Sequence, residues 1–176
     1  YAEWFKDKSR YELYKKEYIK RIYAKIEEVP EYKIKTDLQR IVQILKRHAE
    51  VMFENNMKFK PSSIIITTLA AEVYYDAVLV SEDFGELLLN VIRTLHKAID
   101  EDDGNPCILN PVNHNEKLSM KWEKDEEYFK YFMLWIEQIR TDFNVDNDYI
   151  SSKDRMFYIT RSLRRKDTDI AISLKG

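Results

Sequence analysis

The sequence predicts an all-α fold: a compact multi-helix domain of about five to six helices around a buried central helix. Three observations predict it. Apolar residues recur at spacings of three and four through much of the chain, the mark of amphipathic helices. Only three glycines and four prolines punctuate the 176 residues, too few for a many-stranded sandwich or barrel. One apolar run beginning at Ile64 is longer than most strands.

The first helix is expected from about Ser9 to Glu27, where Tyr11, Tyr14, Tyr18, Ile22 and Ile26 repeat at helical spacing. Pro30 ends it, because proline lacks a donor and restricts the residue before it. Thr36 is a good N-cap for a second helix with the stripe Leu38, Ile41, Val42, Leu45, Ala49, Met52 and Phe53, closed by Asn55-Asn56. Ser62 or Ser63 caps the third element. Ile64-Ile65-Ile66-Thr67-Thr68 alone reads as a strand, because β-branched residues favour strands. The continuation through Leu69-Ala70-Ala71 to Tyr74 makes it a helix, apolar nearly all round and so buried.

Ser81-Glu82-Asp83 opens a fourth helix with the stripe Phe84, Leu87, Leu88, Val91, Ile92, Leu95 and Ile99. Asp100 to Glu116 is expected as a loop, given the turn chemistry of Asp103-Gly104-Asn105-Pro106. A fifth helix is expected from Glu123 or Asp125 to about Thr141. The tail allows a short helix over Asp154–Arg165, which holds the basic cluster Arg161, Arg164 and Arg165.

The length fits one domain, able to bury roughly 68–70% of its unfolded surface. Charged residues make up 34% of the chain but nearly cancel, at net −2, so a globally basic nucleic-acid surface is not indicated. The single cysteine, Cys107, has no intrachain partner and fits a reducing, cytoplasmic setting. No apolar run is read as approaching the ~18 residues of a membrane span, so none is expected. The start, Tyr1-Ala2-Glu3-Trp4-Phe5, carries no signal-peptide pattern and no initiator Met, and is expected to be an internal cut.

Few residues could carry chemistry. His48, His96 and His114 are far apart, and one cysteine is too few for a structural zinc site. His48 reads as a partly buried helix residue and His114 as a loop residue. Cys107, between Pro106 and Ile108, reads as a packed thiol rather than a nucleophile. Asp146-Asn147-Asp148 has the spacing of a metal-binding acid pair but reads as a solvated turn. There is no G-x-S-x-G and no glycine-rich phosphate loop.

What remains is Lys46, a cation on an otherwise apolar stretch of the second helix, and the serines opening the third. By default Lys46 is a solvated charge, and Ser62 and Ser63 are caps. Yet a helix N-terminus with free N–H groups and a hydroxyl is also a phosphate site. A lysine aimed at the same spot supplies the charge a triphosphate needs.

Four stretches in order carry a family resemblance. They are Lys35-Thr36-Asp37-Leu38-Gln39-Arg40-Ile41-Val42-Gln43-Ile44-Leu45-Lys46-Arg47-His48, Lys60-Pro61-Ser62-Ser63-Ile64-Ile65-Ile66-Thr67-Thr68-Leu69-Ala70-Ala71, Asn110-Pro111-Val112-Asn113, and Lys121-Trp122. Together, over most of residues 1–140, they resemble the C-terminal helical domain of bacterial cyclic-oligonucleotide synthases (CD-NTases). These are relatives of oligoadenylate synthetase and cyclic GMP-AMP synthase. Tyr1-Ala2-Glu3-Trp4-Phe5 resembles the segment that follows their catalytic lobe.

The resemblance implies the helical lobe of a two-lobed nucleotidyltransferase, acting in antiphage signalling. Residues 1–8 would be a linker remnant and 142–176 a C-terminal extension. The catalytic lobe, with its Gly-Ser pair and three carboxylates, is not found in this chain, so no catalytic residue is expected here. Mg²⁺ is expected for the full-length enzyme and no cofactor on this part. Lys46 with Ser62 or Ser63 would contact the triphosphate of ATP or GTP, with Arg40 and Arg47 as secondary basic contacts. In animal relatives a tyrosine beside that serine stacks on a base, whereas serine and isoleucine stand here. The zinc ribbon of the animal DNA sensor is missing, so duplex-DNA sensing is not expected. A different class of function also fits: a stand-alone helical protein- or RNA-interaction module using Arg161, Arg164 and Arg165.

Overall fold

The computed structural model describes residues 1–10 and 35–146. The rest of the first expected helix, the expected helix Asp154–Arg165 and the cluster Arg161, Arg164 and Arg165 lie outside the described residues, as do Asn147 and Asp148. The described chain is mostly helical: α1 (residues 2–10), α2 (Asp37–Met52), α3 (Ser63–Val80), α4 (Phe84–Thr94), α5 (Met120–Lys124) and α6 (Glu127–Asp142). Short 3₁₀ turns follow α2 at Met57–Phe59 and α4 at Leu95–Ala98.

Residues 2–10 form helix α1, so the stretch 1–8, expected as a linker remnant, is helical from residue 2. Its first residues have a surface to pack on. The Tyr1 hydroxyl lies 2.8 Å from Thr68 Oγ1 on α3, Trp4 and Phe5 pack against the core, and Lys8 pairs with Glu72 at 3.3 Å.

Helix α2 starts where Thr36 places it. Its Oγ1 accepts from Gln39 N–H, and Gln39 Oε1 accepts from Thr36 N–H at 3.0 Å, a reciprocal capping box. The helix stops at Met52, short of Asn55-Asn56. Its buried face is Leu38, Ile41, Val42, Leu45, His48 and Ala49. Thr36→Ala removes one acceptor and the box with it. Stability is expected to fall by about 1 kcal/mol, seen as a lower urea midpoint at unchanged slope.

Helix α3 is the buried central element. Ser62 caps it, its Oγ accepting from Ile65 N–H at 3.4 Å. Leu69, Ala70, Ala71 and Tyr74 are fully buried. The helix packs against both α2 and α4 and leaves a narrow exposed strip at Glu72, Tyr75, Asp76 and Leu79. Contrary to the expectation, it is long and apolar enough to cross a membrane, with 18 residues at mean hydropathy 1.5. Thr67, Thr68, Glu72 and Asp76 interrupt the run in the sequence. Yet 61% of that window is buried inside this fold, the usual state of a core helix.

Helix α4 is capped by Asp83, whose carboxylate accepts from Glu86 N–H at 2.9 Å. Leu87, Leu88, Val91 and Ile92 face the core as expected, and the regular helix ends at Thr94.

The expected loop 100–116 is instead two antiparallel hairpins, β1 (Asp100–Asp102) with β2 (Asn105–Cys107), and β3 (Leu109–Asn110) with β4 (Asn113–Lys117). The first turns at Asp103-Gly104, with φ of 51° and 77°. Two consecutive positive φ values are what a two-residue hairpin loop requires, and Gly supplies the second without strain. His114 accordingly sits on a strand, exposed. Lys117 bridges Asp102 at 2.7 Å and Glu123 at 2.5 Å, tying the first hairpin to α5.

The expected fifth helix is α6, starting at Glu127, and the short α5 before it is set apart at Asp125, whose backbone is extended (φ −156°, ψ 107°). Trp122, Phe129, Phe132 and Trp135 form a run of ring contacts along this corner, with centroids 4.8–5.9 Å apart.

His48 joins α2 to α6. It is 8% exposed, and its Nδ1 accepts from Trp135 Nε1–H at 3.1 Å. The proton therefore sits on Nε2, which donates to Asp142 Oδ2 at 3.0 Å.

Candidate functional site

The first turn of α3 divides two pockets. Successive helix residues are 100° apart, so neighbours face different ways. Ser63, Ile64 and Thr67 line one pocket, of about 640 Å³. Across it stand Gln39, Val42, Gln43 and Lys46 of α2, with Tyr1 and Phe5 of α1 and with Lys35. Gln39, Gln43 and Lys46 share a face of α2 because they are spaced by four and three. Lys46 is half-buried and forms no ion pair among the described residues. Lys35 Nζ donates to Gln43 Oε1 at 3.2 Å, which holds the second ammonium at the rim.

Lys46 and Ser63 thus meet in one pocket. Ser62 does not join them: its hydroxyl is engaged as the cap, and it lines the neighbouring pocket. Arg40 and Arg47 are elsewhere. The Arg40 guanidinium pairs with Asp37 at 3.0 Å and lies 3.8 Å from the Phe84 ring centroid, linking α2 to α4. Arg47 is exposed and pairs with Glu50 at 3.5 Å.

The first N–H groups of α3 lack intrahelical acceptors, and the helix carries roughly half a positive charge at this end. Two ammonium groups, a hydroxyl and a helix N-terminus therefore converge on one open space, suited to an anion with several oxygens. Among the described residues, none lining this pocket is a carboxylate, histidine or cysteine, so these residues do not fit a metal ion. Burial pushes the Tyr1 phenol above its usual range, so it stays protonated and fixed to Thr68.

Lys35, Gln43 and Tyr1 escaped the sequence reading as site residues. Gln43 carries a legible signal, since it lies three residues before Lys46 on the same face of α2, and Lys35 stands directly before the Thr36 cap of that helix. Tyr1 carries none, because it reaches the site only through the packing of α1.

The second pocket, of about 380 Å³, lies between Ser62, Ile64 and Ile65 on one side and Phe59, Trp122 and Tyr128 on the other. Lys60 and Lys121 stand at it.

Cys107 is 2% exposed on β2. Burial first, and the Asp100 carboxylate second, push its thiol above the usual range. Because only the thiolate reacts, alkylation by iodoacetamide at pH 8 is expected to be slow in the native protein and fast in urea. Equal rates in both would show an open thiol.

No family model matches the chain. The chain is similar to a protein of Roseivirga ehrenbergii (strain DSM 102268 / JCM 13514 / KCTC 12282 / NCIMB 14502 / KMM 6017) named c-di-GMP synthase, 36% identical over 119 residues. The match takes in 65% of this chain and 30% of that relative, so the chain spans under a third of the relative's length.

Proposed function

We propose that this chain forms the nucleotide-gripping helical lobe of a two-lobed nucleotidyltransferase that makes a cyclic dinucleotide from nucleoside triphosphates. The observation that carries this is the convergence of Lys46 and Ser63 on one pocket at the N-terminus of α3. The similarity to a protein named c-di-GMP synthase supports it and makes GTP the first substrate to test, with ATP beside it.

Each residue has a stated part. The Lys46 ammonium neutralises triphosphate charge, and the Ser63 hydroxyl and the free N–H groups of α3 donate to its oxygens. Lys35 adds charge at the rim, and Gln43 fixes it there. The lobe binds and orients, and the bond-making groups and the Mg²⁺ of the complete enzyme belong to a partner lobe. A cytoplasmic, antiphage second-messenger role is part of the same proposal.

The test is calorimetric titration of the 176-residue chain with GTP and with ATP, for the native sequence, Lys46→Ala and Ser63→Ala. Saturable binding that both substitutions weaken is expected. Affinity unchanged in Lys46→Ala would sink the triphosphate role.

A further inference from the structure

We propose that the second pocket, between the N-terminus of α3 and the Phe59–Trp122–Tyr128 corner, receives the purine base of the nucleotide whose phosphates lie at Lys46 and Ser63. This rests on the phosphate-gripping role above and extends it to the other end of the ligand.

The placement follows from helix geometry. Ser63 and Thr67 face the cationic pocket, while Ser62 and Ile65 face the aromatic one. Ile64 falls between them in angle and lines both. One side chain, 38% exposed, is therefore the saddle between the two spaces. A ribose can cross such a saddle with its phosphates on one side and its base on the other.

The chemistry of the second pocket suits a base. Phe59 stacks on Tyr131 at 4.4 Å and 14°, and meets Tyr128 edge-on at 5.1 Å. Tyr131 covers the Phe59 ring and Lys58 Nζ lies 4.5 Å over it, so Phe59 braces the corner and the ring offered to a base is Tyr128, held in place by its contact with Phe59. Stacking on aromatic faces tolerates any base and is strongest for a large flat one. Lys121 Nζ lies 5.5 Å from the Tyr128 ring centroid and Lys60 is at the same opening. The lining also holds Glu116, which accepts from Asn110, and Lys117, which pairs with Asp102 and Glu123. The Lys60 and Lys121 ammonium groups thus face one carboxylate, and the pocket is electropositive as well as aromatic. An apolar peptide side chain would need no such charge. At about 380 Å³ the space falls within the range of small-molecule sites.

The experiment compares GTP with inorganic tripolyphosphate on the whole 176-residue chain. Base stacking is expected to make GTP tighter by roughly 5- to 150-fold. Tyr128→Ala should remove most of that difference and leave tripolyphosphate affinity unchanged. Photolysis with 8-azido-GTP needs no variant: the label should appear on peptides carrying Phe59 to Ile65 or Lys117 to Tyr128. Tripolyphosphate binding as tight as GTP, or label confined to other peptides, overturns the base pocket and leaves the phosphate site standing. If neither ligand binds, both fall.

Discussion

Lys46→Ala is expected to weaken GTP binding by about 10- to 150-fold. A hydrogen bond to a charged group is worth about 1.5–3 kcal/mol, and each 1.4 kcal/mol is tenfold in affinity. Lys46 should fall inside this range rather than below it, because it is half-buried against α1 and α3 and has no competing ion pair among the described residues. The loss should shrink as salt rises, since the same charge is being screened. Arg47→Ala is the control. That side chain is next in sequence but faces solvent and pairs with Glu50, so GTP affinity should stay within twofold. Equal losses in both variants would mean that general positive charge, not the pocket, attracts the nucleotide.

Trp135→Ala is expected to be the most damaging substitution for stability. Trp135 is fully buried on α6, and emptying such a site costs about 3–5 kcal/mol. A second cost adds to it. The Trp135 Nε1–H is the donor to His48 Nδ1, and losing that donor from a buried acceptor costs about 1–3 kcal/mol more. Against a total of about 5–15 kcal/mol, the variant should be largely unfolded at physiological temperature, with helical circular dichroism lost well below the urea midpoint of the native chain. Trp135→Phe keeps most of the volume and loses only the donor, so it should fold with a smaller drop. If the two variants melt alike, the hydrogen bond and not the cavity dominates at this site.

How much was readable in advance differs between elements for physical reasons. The stripes of α2 and α4 are legible because one face of each meets the core and the other meets water. The α3 run is ambiguous over Ile64–Thr68 and resolves through its length and serine cap. The hairpins were hidden by composition. Asp100–Asp102 is wholly exposed and acidic, and β2 contains Pro106, so no alternating apolar pattern marks them. Asp103-Gly104 was the available signal, and without flanking strand residues it read as a loop. At the site, Lys46 was legible as a cation directly after the apolar Ile44-Leu45. The choice between Ser62 and Ser63 was not. It depends on which hydroxyl the cap occupies, and that is fixed by helix phase rather than by residue type.

The packing of α3 between α2 and α4 has a mechanical consequence. With neighbours on both sides and only a narrow strip at Glu72, Tyr75 and Asp76 facing out, the helix cannot rotate or shift without exposing Leu69 or Tyr74. Ser63 and Ser62 open towards different pockets from this one fixed rod, so the helix acts as a ruler. The distance between the two openings is set by backbone pitch, and a ligand spanning them must match that length because the gap will not adjust to it.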